Sequence, residues 1–211
     1  ETHDRQPPMV VIATAGHVDH GKSALVRALT GIEPDRWNEE RKRGLTIDLG
    51  YAWTTLASGQ TVSFVDVPGH QRFIGNMLAG VGPTAAVLFV VAADEGWRQQ
   101  SEEHLLAVDA LGIQHGLLVV TRSDLADPSV ALQGALDRIA RTSLGSIDAI
   151  TVSARTGDGI PQLREALDAL AAALPAPRRE GRARLWLDRS FTIRGAGTVI
   201  TGTLGEGRLS V

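Results

Sequence analysis

No cysteine occurs in the 211 residues, so neither a disulfide nor a thiolate-held metal can form within them, and the composition suits a reducing compartment. A strong excess of either charge is also missing. Lys and Arg total 21 against 24 Asp and Glu, leaving a net charge of -3, so no bulk positive field favours nucleic acid and any RNA contact has to come from local patches. Long hydrophobic runs are absent too: the longest is Ala85–Ala93, far short of the roughly 18 apolar residues of a membrane span. A soluble, cytoplasmic, monomeric protein without membrane contact is the expectation. Residues 1–8 are polar and contain no apolar segment, unlike a secretory signal; they read as an N-terminal extension or a tag remnant, with Met9 as the natural start.

What is present is a chain with 43% hydrophobic residues, enough for one full core and the beginning of a second. Aliphatic runs at Val10–Ala15, Val62–Val67, Ala85–Ala92, Gly116–Thr121 and Ile147–Val152 lack polar alternation and read as buried strands, with Gly50–Thr55 as an edge strand. Between them lie helical patterns at Lys22–Thr30, Gln71–Ala79, Ser101–Leu111, Ser129–Ser143 and Pro161–Leu174. This alternation predicts an α/β domain over residues 9–174, with a mostly parallel sheet flanked by helices and ligands bound beyond the carboxyl ends of the strands. Pro175, Pro177 and the following arginines mark a linker at 175–182. After it, Leu185–Ile193 and Val199–Leu204, joined through Gly195-Ala196-Gly197, predict a hairpin opening an incomplete β-barrel domain at 183–211.

Gly16-His17-Val18-Asp19-His20-Gly21-Lys22-Ser23 follows a predicted strand and opens a predicted helix, the setting that a Gly-x-x-x-x-Gly-Lys-Ser phosphate loop requires. Glycine lets successive main-chain N–H groups turn inward, which makes Asp19, His20, Gly21, Lys22, Ser23 and Ala24 the expected phosphate contacts. Lys22 supplies positive charge to the outer phosphates and the Ser23 hydroxyl a magnesium ligand. Asp66-Val67-Pro68-Gly69 would be an ordinary turn in isolation. At the end of a sheet strand it places Asp66 to hold magnesium through water and the Gly69 N–H to face a γ-phosphate.

Asp124, just past a strand, can accept two hydrogen bonds from the ring N–H and amine of guanine, which adenine does not present. Ser153-Ala154-Arg155, after the next strand, is expected to add a main-chain N–H to the guanine carbonyl. Phosphoryl transfer then needs a positioned water more than a covalent partner, and His70 is the candidate to orient it.

Together these segments resemble the GTPase superfamily, whose guanine motif is normally Asn-Lys-x-Asp. Thr121-Arg122-Ser123-Asp124 departs from it twice: the Arg122 stem is expected to lie against the base in place of lysine, and the shorter Thr121 to lose a contact to the phosphate loop. Asp66-Val67-Pro68-Gly69-His70 and Arg43-Gly44-Leu45-Thr46-Ile47 resemble the switch segments of translation factors. That resemblance implies His70 as the water-orienting residue, Val18 and Leu45 as an apolar gate that withholds it until a ribosome is engaged, and Thr46 as a cap on magnesium and the γ-phosphate.

Within this group the chain resembles the selenocysteine-specific elongation factors. The similarity rests on Ile47-Asp48-Leu49-Gly50-Tyr51-Ala52, Gly31-Ile32-Glu33-Pro34-Asp35-Arg36, Asn76-Met77-Leu78-Ala79-Gly80-Val81-Gly82, Thr121, and a short switch segment of 22 residues between Ser23 and Thr46. It implies GTP and GDP with Mg2+ as ligands, and selenocysteinyl-tRNA and the ribosome as partners, with a messenger hairpin read by a region outside this chain. It also implies a selenocysteine pocket at Asp188 and Arg189, for which a strand-entry ion pair is the competing reading. Three alternatives stay open: another translational GTPase of the elongation factor Tu group, a non-hydrolysing guanine-nucleotide scaffold, and a P-loop ATPase, which Asp124 disfavours.

Overall fold

A computed structural model describes residues 9–34, 49–68, 74–81, 84–175 and 180–209, leaving aside the side chains of residues 74, 76, 79, 188 and 189. Along the chain run β1 (Val10–Ala15), α1 (Lys22–Thr30), β2 (Gly50–Thr55), β3 (Thr61–Asp66), α2 (Ile74–Val81), β4 (Ala86–Ala92), α3 (Gln99–Ala110), β5 (Gly116–Thr121), α4 (Ser129–Ile139), β6 (Asp148–Thr151), α5 (Ile160–Ala173), β7 (Arg184–Ile193) and β8 (Gly197–Glu206).

The first six strands form one sheet in the order β2-β3-β1-β4-β5-β6, parallel throughout except for the antiparallel edge strand β2. The apolar runs become strands because a sheet covered on both faces hides every side chain, as the wholly buried β4 and β5 show. One face packs Met77, Leu105, Val108, Ala135 and Ile139 from α2, α3 and α4. The other packs Leu25, Val26, Leu163 and Leu167 from α1 and α5. Arg164 of α5 ties this second layer together and to the sheet edge. Its guanidinium donates to Leu29 O at 2.7 Å, at the end of α1, and to Thr55 O at 3.0 Å in the edge strand.

The elements follow the sequence pattern, with several boundaries corrected. β3 starts and ends one residue earlier than predicted, and β4 and β6 are slightly shorter. α3 starts at Gln99, two residues before Ser101. α2 runs to Val81, two residues beyond Ala79, while residues 71–73 of the predicted helix lie outside the described residues. The larger error is α4, which stops at Ile139 and not at Ser143. Thr142 Oγ1 donates to Ile139 O at 2.7 Å, and the Ser143 N–H donates to Asp109 Oδ1 at 2.6 Å, so side chains take over the donors and acceptors that another helical turn would need.

No regular element lies between Ala173 and Arg184 among the described residues. β7 and β8 pair antiparallel with a register shift between Leu187 and Arg189. No described helix is long and apolar enough to cross a membrane.

Candidate functional site

The loop after β1 is held from behind by α3. The Gly16 N–H donates to Nδ1 of the buried His104 at 3.0 Å, and the Val18 N–H to Gln100 Oε1 at 3.3 Å. Gly16 has φ 128°, and a Cβ there would stand 2.2 Å from Val90 O, so only glycine lets the loop pass this close to β4. Gly21, at φ 80°, starts α1 without a side-chain cap, which turns the positive end of the helix toward the loop. Lys22 Nζ is folded back, donating to Gly16 O at 3.1 Å and His17 O at 2.9 Å.

The His20 side chain belongs to the core beneath the loop. Its ring does not face the loop's concave side. It is fully buried against β4, with Nδ1 3.3 Å from Val90 O, and burial lowers its pKa to about 4, so the imidazole is neutral. Only the main chain of His20 remains for a phosphate.

Where the two acidic and hydroxylic segments converge, Ser23 Oγ donates to Asp66 Oδ2 at 2.6 Å and Thr14 Oγ1 to Asp66 Oδ1 at 2.8 Å. The Thr14 hydroxyl in turn accepts from the Val67 N–H at 3.1 Å. Asp66 is completely buried; burial pushes its carboxyl pKa up, partly offset by the charge of Lys22 and the hydrogen bonds from Ser23 and Thr14. A carboxylate and a hydroxyl this close are a hard-oxygen donor pair that fits magnesium.

Beyond Gly21 opens a cavity of about 650 Å3 whose lining includes Gly21, Ala24, Thr121, Arg122, Asp124 and Ala154. Thr121 does not lose its contact to the phosphate loop: Oγ1 donates to His20 O at 2.8 Å, which ties the two motifs together. Arg122 occupies the left-handed region at φ 57°. Its guanidinium is held by Glu95 at 2.9 Å and Asp94 at 3.2 Å and donates to Asp19 O, so the stem lies along the cavity while the head is anchored outside it. Asp124 accepts from Arg155 Nε at 2.9 Å, with Nη2 at 2.8 Å. Hydrogen bonds from Ser153 and Arg155 hold its carboxyl below the usual carboxylate range. The Ser153 N–H donates to Asp158 O at 2.9 Å, so Ser153 braces its own loop, and Ala154 and Arg155 are the members of the segment on the cavity wall.

The structure therefore brings together Val18, Asp19, His20, Gly21, Lys22, Ser23, Ala24, Asp66, Thr121, Arg122, Asp124 and the 153–155 segment. Leu45, Thr46, Gly69 and His70 lie outside the described residues, as do the side chains of Asp188 and Arg189. Sequence reasoning missed Thr14, Asp94, Glu95, Gln100 and His104, which support the loop or the base wall from other elements. For the last two a signal existed: His104 and Gln100 are polar residues at helical spacing on a helix that must bury one face.

The model of the elongation factor Tu GTP binding domain matches residues 7–173. The selenocysteine-specific elongation factor of Desulfomicrobium baculatum is 41% identical over 203 residues, covering 95% of this chain and 32% of that protein. Among solved structures, a bacterial selenocysteine-specific elongation factor EF-Sec superposes with a TM-score of 0.87 at 37% identity, over 94% of this chain and 34% of that one. The elongation factor SelB of Methanococcus maripaludis in complex with the GTP analogue GppNHp gives a TM-score of 0.80 at 30% identity, over 94% and 42%. The chain thus spans about a third of the length of the curated relatives it matches first.

Proposed function

From the premise that this chain belongs to the elongation factor Tu GTP-binding domain family, we propose that it is the GTP-hydrolysing switch of a cytoplasmic elongation factor that delivers selenocysteinyl-tRNA to the ribosome. The observation that carries the nucleotide part is the hydrogen bond from Thr121 to His20 O, which unites a phosphate loop and an Asp124-bearing cavity into one site of nucleotide length. The delivered tRNA is supported by the likeness to selenocysteine-specific factors.

In this reading Lys22 leaves the carbonyls of Gly16 and His17 to meet the outer phosphates, and the main-chain N–H groups at the start of α1 take the rest of the negative charge. Ser23, Asp66 and Thr46 would hold magnesium, which supplies charge compensation on the phosphates when bound. Asp124 reads guanine once Arg155 has swung aside, and Ala154 with Arg155 borders the base carbonyl. His70 orients the attacking water; Val18 and Leu45 restrain it, and Thr46 and Gly69 report the γ-phosphate. Residues 9–174 form the GTP-binding domain, 175–182 the linker and 183–211 the first strands of a barrel domain. Trp186, Leu187, Phe191 and Ile193 are all exposed on the hairpin, as strands awaiting further barrel partners would be. Asp188 and Arg189 would border the aminoacyl group, where a guanidinium favours an ionised selenol over a neutral hydroxyl.

Calorimetric titration of the chain with GTP and GDP in magnesium tests this. Comparable affinities, or a preference for GTP, support the selenocysteine-specific reading. A strong GDP preference moves it toward an elongation factor Tu-like protein, and absence of binding removes the guanine site.

A further inference from the structure

His17 and His20 of the phosphate loop and Glu95 of the turn after β4 form a cluster, and none of the three lines the cavity that Asp124 borders. Their ligand-capable atoms all lie within 4.8 Å of one another, and the two imidazole rings stand 4.9 Å apart at 43°. The chemistry at the centre of this cluster is unbalanced. His20 is fully buried with Nδ1 3.3 Å from Val90 O, and because a carbonyl can only accept, the proton of the neutral ring sits on Nδ1. Nε2 is then a bare lone pair. It has no hydrogen-bond partner, and the nearest charged group, 3.9 Å away, is Glu95 Oε2, itself an acceptor. Two acceptors thus face each other at a distance that a hydrogen bond does not bridge.

A cation between them resolves the mismatch. A histidine whose far nitrogen is fixed by a main-chain carbonyl is the usual form of a metal-ligating imidazole, since that bond sets the tautomer and ring direction. On the part-exposed His17, Nδ1 accepts from the Asp19 N–H at 3.2 Å, which puts the proton of the neutral ring on Nε2, so this ring ligates only by giving up that exposed contact and carrying its proton on the nitrogen turned away from the metal. Glu95 Oε1 is occupied by Arg122 at 2.9 Å, while Oε2 is shared only with the exposed Arg98 at 3.4 Å. Four-coordinate zinc, with metal–nitrogen distances near 2.0–2.1 Å, needs donor atoms about 3.3 Å apart. His17 and Glu95 are both part-exposed and can close the gap, whereas His20 is fixed.

We propose that His17, His20 and Glu95 form a site for a divalent transition cation of zinc type, with two imidazoles, one carboxylate and a fourth position open to water. Such an ion fastens the phosphate loop to the turn that carries Asp94 and Glu95. It is separate from the magnesium position, where Ser23 and Asp66 offer oxygen alone.

The test is titration of the nucleotide-free chain with Co2+ as a spectroscopic stand-in, followed by Zn2+ displacement. The expected result is one equivalent bound with the intense visible bands of four-coordinate cobalt, bleached by zinc, and weakened roughly 100-fold or more in both His17→Ala and Glu95→Gln. Both changes are at part-exposed side chains, and circular dichroism of each variant shows whether the fold is retained. Should either fail to fold, His17→Gln takes its place. Absence of the bands, only the weak bands of six-coordinate cobalt, or bands unchanged in the folded variants would overturn the site.

Discussion

Arg155 lies across Asp124, its Nη2 2.8 Å from Oδ2, so the carboxylate proposed to read guanine is held by an arginine of the neighbouring loop. Arg155 is 72% exposed while Asp124 is 11% exposed, so the arginine is the partner free to leave. Opening the pair costs little, because an ion pair with a well-solvated arginine is weak. Arg155→Ala is therefore expected to leave stability within about 0.5 kcal/mol and GTP affinity within roughly threefold, measured by urea unfolding and calorimetry.

Asp124→Asn exchanges an acceptor for a donor at the base edge. GTP binding is expected to fall by about 2–3 kcal/mol, on the order of 100-fold, while xanthosine triphosphate binding improves. Unchanged base preference in calorimetric competition would remove Asp124 from the role.

The pH dependence of that recognition follows from the same pair. Hydrogen bonds from Ser153 and Arg155 hold the Asp124 carboxyl below its ordinary value, so what they contribute is present above the unfolded carboxylate pKa and is lost as pH falls through the lower folded one. GTP affinity is expected to show no titration from Asp124 between about pH 5 and 8 and to decline only in more acid solution. An Asp124-dependent step near pH 6, absent from Asp124→Asn, would contradict this.

Gly16→Ala places a methyl group 2.2 Å from Val90 O at a φ of 128°. The loop has to move off β4 and lose the bond to His104. A stability loss of about 3 kcal/mol or more and abolished nucleotide binding are expected, read from denaturant unfolding and titration.

Hydrolysis by this chain alone is expected to be slow, with His70→Ala lowering any ribosome-stimulated rate by about two to three orders of magnitude while GTP affinity stays within a few-fold. Single-turnover assays with and without ribosomes separate these. Rapid turnover without ribosomes would defeat the gate at Val18 and Leu45.

Much of the sheet was legible because its strands are buried on both faces and carry unbroken aliphatic runs, and α1 was legible to the residue because Gly21 and Gly31, both left-handed, bracket it. The end of α4 was not, since what stops it is Asp109, 34 positions earlier in the chain. The same holds at the site. Sequence position makes Asp124 the candidate base reader but says nothing of Arg155 lying on it. It marks Thr121 as short without showing that His20 O comes near enough to meet its hydroxyl. The inward turn of the His20 ring depends on Val90, 70 positions away, and no local pattern encodes it.

Arg164 has a bearing on how the protein is made. The guanidinium that secures Leu29 O and Thr55 O belongs to the last helix of the domain, although the elements it secures are among the first to be synthesised. A nascent chain therefore carries a complete phosphate-binding sequence long before it owns the clamp that steadies the helix behind it. The clamp can close only after α5 has been synthesised, so the last helix of the sheet domain completes the packing that holds the end of α1 to the edge strand.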